Sequence, residues 1–129
     1  MNMRQVELSD LIGKTVVSMD IDHGRSKVSL RCSDGTEYLQ YHPRHCCEEV
    51  TCEGFWGDLQ RFINVPLIRV SSRATRDPLD RYKRAPGSYF LTQLCELGTE
   101  RGAVVVHWRA RFSNCQISWN VKIVLARVS

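Results

Sequence analysis

The chain has 129 residues, 43% of them hydrophobic and 25% charged, with a net charge of +4. These values describe one folded domain, residues 1–129, able to bury a core, and they exclude the disordered class. No apolar run approaches the roughly 20 residues of a membrane helix, and residues 1–14 contain no secretory apolar segment, so the expected setting is cytoplasmic, with no membrane partner.

Residues 16–42 are predicted to form a three-strand antiparallel meander. Asp34-Gly35 is a strong hairpin signal, because a type I′ turn needs positive φ at both central positions. As a two-residue loop it pairs Ser33 with Thr36, Leu30 with Leu39 and Val28 with Tyr41. A second turn at His23-Gly24 pairs Asp22 with Arg25, Asp20 with Lys27, Met19 with Val28 and Val17 with Leu30. Together the two registers place Val17, Met19, Val28, Leu30, Leu39 and Tyr41 on one apolar face. Asp20, Lys27 and His42 fall on the other face, which reads as solvated.

Farther along, Leu59, Phe62 and Ile63 have helical spacing, with Asp58 as the N-cap of a helix of one or two turns. Leu67, Ile68 and Val70 predict a strand over 65–75, with Pro66 at its start, where a missing N–H is tolerated. Residues 76–88 read as a polar loop containing Pro78, Pro86 and Gly87. Three longer strands follow, over 88–97, 103–112 and 116–128, the last two joined by a turn at Ser113-Asn114. The expected fold is β-rich, α+β at most. Two antiparallel meanders form a small sandwich or partly open barrel, with one short helix near 58–63.

The densest polar constellation runs from Tyr41 to Cys52. His42, His45, Cys46, Cys47 and Cys52 are all competent zinc ligands, and four would fill a structural or hydrolytic site. The adjacency of Cys46 and Cys47 argues against that, since thiolates on neighbouring extended residues diverge. A cysteine nucleophile served by His42 or His45 is disfavoured by Glu48, Glu49 and Glu53, whose charge raises a nearby thiol pKa. Cys32, Cys95 and Cys115 lie in strand-like runs, and in a reducing compartment free thiols are expected. The familiar catalytic fingerprints for nucleotides, zinc peptidases and serine hydrolases are absent.

Charge is unevenly distributed. Residues 69–84 hold six bases (Arg69, Arg73, Arg76, Arg81, Lys83, Arg84) against Asp77 and Asp80, which accounts for the whole net charge of +4. Arg73, Arg76, Arg81, Tyr82, Lys83 and Arg84 are therefore the candidate partner-binding residues. Arg109 and Arg111 lie two apart and offer a second basic strip on one strand face, beside His107. Clustered arginines suit phosphates, with Tyr82 available to stack on a base, and suit an acidic protein surface equally.

Several motifs resemble a family of small phage and bacterial proteins, largely without an assigned function. They are Leu-Ile-Gly-Lys-Thr-Val at 11–16, Ser-Asp-Gly-Thr at 33–36 and the Tyr-His-x-x-x-Cys-Cys-Glu block at 41–48. Gly-Asp-Leu at 57–59, Pro-Leu-Ile at 66–68, Ser-Tyr-Phe at 88–90 and Trp108 extend the likeness. The chain departs from that pattern at His45, where the family has an acid, and in the arginine-rich stretch 73–84. The resemblance implies a phage or mobile-element setting, with a host-takeover or defence-inhibiting role. The expectation is a non-enzymatic binding protein that contacts a host protein or nucleoprotein. A zinc protein using 42–52 and a nucleic-acid-binding domain using 69–84 are the alternatives.

Overall fold

In the computed structural model, residues 2–43, 48–76, 88–113 and 122–128 are described. Among these residues nine strands form two antiparallel sheets. They are β1 (Met3–Val6), β2 (Val16–Ile21), β3 (Lys27–Cys32), β4 (Glu37–Tyr41), β5 (Glu48–Trp56), β6 (Leu67–Arg76), β7 (Ser88–Thr99), β8 (Ala103–Ser113) and β9 (Val124–Val128). The first sheet has the order β1-β9-β4-β3-β2 and the second β5-β8-β7-β6. A 3-10 turn covers Leu8–Leu11, and helix α1 covers Leu59–Phe62. The two expected meanders are present as β2-β3-β4 and β6-β7-β8, packed as a sandwich.

The core lies between the sheets. Val28, Leu30, Tyr38 and Leu125 from the first sheet pack in one cluster with Cys52, Leu97, Val106 and Trp108 from the second. Helix α1 adds Phe62, which is fully buried, and it begins where expected, with Asp58 accepting the N–H groups of Gln60 and Arg61. At one edge Asn64 donates its N–H to the Val16 carbonyl, and Leu67 at the start of β6 accepts from the Gly13 N–H and donates to the Lys14 carbonyl, in the lead-in to β2. At the far end of β2, the hairpin to β3 reaches β5, where the Cys52 N–H donates to the Arg25 carbonyl at 2.8 Å. Strand β2 thus starts against one edge strand of the second sheet and ends against the other. Six residues at about 3.3 Å each cover the roughly 14 Å across four strands, so the strands of the two sheets cross.

The register of the first meander corrects the sequence expectation. Leu30 pairs with Tyr38 and Val28 with Gln40, one residue away from the expected pairing. The loop has three residues, Ser33-Asp34-Gly35, closed by Gly35 N–H to Cys32 O and Cys32 N–H to Thr36 O. Only Gly35 takes positive φ (88°), so Asp34 is spared the left-handed conformation that a type I′ turn demands. Asp34 instead accepts from the Thr36 N–H and hydroxyl and from Lys14 Nζ, which hold its carboxyl well below the usual carboxylate range. One extra loop residue flips β4, so Tyr38 and Gln40 face the core while Leu39 and Tyr41 are half-buried on the other side.

On the β2–β3 side the loop has four residues, not two. Met19 pairs with Leu30 and Ile21 with Val28, a shift of two residues, which preserves the faces. A bulge between Val16 and Ser18 buries Val16 in place of Val17.

The C-terminal strand also differs from expectation. β9 pairs with β4 and β1 in the first sheet and makes no ladder with β8, and the N-terminal strand β1 completes that sheet's edge. The expected turn at Ser113-Asn114 and the first part of the expected strand 116–128 fall largely on 114–121, outside the described residues.

Candidate functional site

The outer face of the second sheet collects charge from three strands. Alternation along β8 turns His107, Arg109 and Arg111 away from the core, opposite Val106, Trp108 and Ala110, which are fully buried. The ladders align Arg73 on β6 with Leu94 on β7 and His107 on β8. The next row across holds Thr75, Thr92, Arg109 and Thr51. Glu49 and Arg111 pair beyond that, with their side chains 3.9 Å apart. Arg73 and His107 are two strands apart, about 10 Å between backbones. At the other end of the face Arg69 covers Gly98 and lies 3.6 Å from Glu96.

A bulge adds an aromatic group to this face. Cys52 pairs with Trp108, but Gly54 pairs with His107, so Glu53 is the extra residue in β5. Without that insertion the strand's alternation would turn Trp56 inward. With it, Phe55 packs against the core and Trp56 points outward, 53% exposed, with its ring centroid 4.4 Å from that of His107. Gly57 then turns the chain with φ +116°, so close to β8 that a Cβ would sit 2.3 Å from the Ala103 carbonyl oxygen. Arg25, itself at φ 57°, secures the bulge. Its Nε–H donates to the Cys52 carbonyl at 2.8 Å and its Nη2 to the Glu53 carbonyl at 2.7 Å.

Of the expected partner-binding residues, Arg73 lies on this face. Arg76 ends β6 with its backbone opposite Leu91, and Arg81, Tyr82, Lys83 and Arg84 fall outside the described residues. The structure therefore joins Arg73 to the second basic strip, Arg109 and Arg111, which the sequence left as a separate feature. Trp56 was missed. The glycines at 54 and 57 flanking it were the available signal, because they mark a bulge and a turn.

Of the expected metal residues, the two described ones, His42 and Cys52, belong to different sheets. His42 follows β4, and its Nδ1 lies within hydrogen-bond distance of the Lys122 carbonyl. A carbonyl only accepts, so Nδ1 is the donor in this contact. Cys52 points into the core, fully buried, and burial raises its thiol pKa. His45, Cys46 and Cys47 fall outside the described residues, among which no group of three or more metal-ligating side chains occurs. Cys32, Cys52 and Cys95 are buried free thiols. Among the described residues no helix is long and apolar enough to cross a membrane.

Fold and face together define an antiparallel two-sheet β protein with a basic outer surface on its second sheet. Residues 9–122 match the model of a family described as "Domain of unknown function (DUF7448)", and the chain belongs to that family. No curated protein and no solved structure matches the chain.

Proposed function

We propose that this protein is a non-enzymatic binding protein that docks an acidic protein partner on the outer face of the second sheet. The observation that carries the reading is the alignment of Arg73 with His107, Arg109 and Arg111 across β6, β7 and β8, with Trp56 exposed beside His107. Strand β6 carries Arg69 and Arg73, the first bases of the stretch 69–84, so the basic face includes the start of that stretch. An exposed tryptophan among arginines has the composition of an interface anchor. Glu49 and Glu96 pair with Arg111 and Arg69 on the same face. That mixed charge favours a protein surface, which can complement both signs, over a phosphate backbone. In the phage setting that the sequence motifs suggest, the partner is a host protein and the outcome of capture is takeover or inhibition.

The test is capture from a bacterial host lysate by the tagged protein, with partners identified by mass spectrometry. Replacing Arg73, Arg76, Arg81, Lys83 and Arg84 together by Glu should reduce capture of the specific partner at least tenfold while leaving the thermal midpoint unchanged. Arg111→Glu with Arg73→Glu should do the same from the sheet alone. Capture that survives both charge reversals would reject the assignment. A gel shift with DNA or RNA whose affinity falls steeply with salt would replace it by nucleic-acid binding.

A further inference from the structure

The inward positions of β4, β6 and β7 turn polar at one place. Gln40 is 6% exposed and Gln93 9%, while Ser72, exposed on the edge strand β6, stands opposite Cys95, which is 1% exposed. Two side-chain hydrogen bonds organise them: the Trp108 indole N–H donates to Gln40 Oε1 at 2.8 Å, and Gln93 Nε2 donates to Ser72 Oγ. They border a cavity of about 180 Å³ between the sheets, whose opposite wall includes Leu8, Ile123 and Leu125. Gln5 and Glu7 also line it, and Glu7 is engaged with Asp10 in the cap of the 3-10 turn.

Burying carboxamides costs free energy that apolar residues of the same size would not, so polar groups converging on a cavity suit a ligand with complementary groups. The cavity sets the ligand's size and charge. An apolar cavity of about 150 Å³ accommodates benzene, so this one takes a single substituted ring. Apart from the carboxylate of Glu7, an exposed residue, its polar lining is neutral: carboxamides, a hydroxyl and a thiol. A carboxamide offers a donor and an acceptor in one plane, the complement of another amide edge.

We propose that this cavity binds a small, neutral, planar molecule of single-ring size bearing an amide edge, such as a pyrimidine base, with Gln93 reading that edge. Gln40 is held by the Trp108 indole and acts as the fixed polar wall. The site lies on the inner side of the second sheet and is independent of the docking face.

Uracil, with a ring amide, and nicotinamide, with an exocyclic one, are the probes, titrated at millimolar concentration into ¹⁵N-labelled protein. Saturable shifts of the Gln93 side-chain amide and the Trp108 indole N–H with either compound are expected, together with a rise in thermal midpoint. Gln93→Leu keeps the volume and removes the amide edge, and should weaken binding at least tenfold. Toluene should not compete. The proposal is overturned if neither compound gives saturable shifts, if the shifts map elsewhere, or if a folded Gln93→Leu protein binds equally well. The wild-type titration stands alone should that variant fail to fold.

Discussion

Arg25 and Cys52 bond reciprocally across the two sheets: the Cys52 N–H donates to the Arg25 carbonyl, and the Arg25 Nε–H donates back to the Cys52 carbonyl, both at 2.8 Å. A bulge leaves carbonyls without ladder partners, and here a guanidinium from the opposite sheet takes them up. The same contact fixes the alternation that presents Trp56. Arg25→Ala should therefore lower stability by about 1.5–3 kcal/mol, the range for hydrogen bonds involving a charged group. Urea unfolding measures this, and Arg25→Lys, with one donor instead of a fork, should recover only part of it.

Gly57 and Gly54 both carry positive φ, at 116° and 146°, but only Gly57 has a neighbour in the way. Gly54→Ala should cost about 1–3 kcal/mol through backbone strain alone. Gly57→Ala adds the collision with the Ala103 carbonyl and should cost more, with a measurable change in Trp56 fluorescence as the turn shifts. Equal midpoints for the two variants in thermal unfolding would contradict this ordering.

Trp108 and Gln40 form the polar link at the centre of the sandwich. Trp108→Phe leaves Gln40 Oε1 without its indole donor and should cost about 1–3 kcal/mol beyond the lost ring volume. Adding Gln40→Leu to that variant removes the orphaned acceptor, so the double change should cost less than the sum of the single ones. A double-mutant cycle in urea reads the coupling directly.

Burial pushes the Cys95 thiol up to about 11, partly offset by the hydrogen bond from Gln40. The folded protein holds this group neutral more strongly than the unfolded chain does. Its contribution to stability is thus complete below pH 9, near the unfolded value, and is lost as pH rises through 11. Wild-type stability should fall more steeply over that interval than that of Cys95→Ala, with the two curves parallel below it. Chemical denaturation at half-unit steps of pH checks this.

Much of the local structure is legible in the sequence. Asp58 announces α1, Pro66 the approach to β6, and the period of two along 103–112 assigns Trp108 and Ala110 to the core and Arg109 and Arg111 to the surface. Turn chemistry is less decisive. Asp34-Gly35 serves a two-residue loop or a three-residue loop with a bulge, and the one-residue difference reverses every side chain of β4. Only the energetic cost of a left-handed Asp34, set against an Asx turn reinforced by Lys14, separates the two. The His23–Ser26 loop is two residues longer than the His23-Gly24 turn predicts, which leaves the faces unchanged because strands repeat every two residues.

By itself, then, the sequence determined most of the strands, though neither β1 nor β5, which face of β8 is apolar, and where positive charge accumulates. Tertiary structure decided the partners. Periodicity records which side of a strand is buried but carries no label for the strand beside it, so it could not place β9 beside β4 and β1. Nor could it bring Arg73 into line with His107 and next to Arg109, or gather Gln40, Ser72 and Gln93 around one cavity. Those juxtapositions join residues far apart in the chain, and they exist only once hydrogen-bond ladders and bulges have set the register.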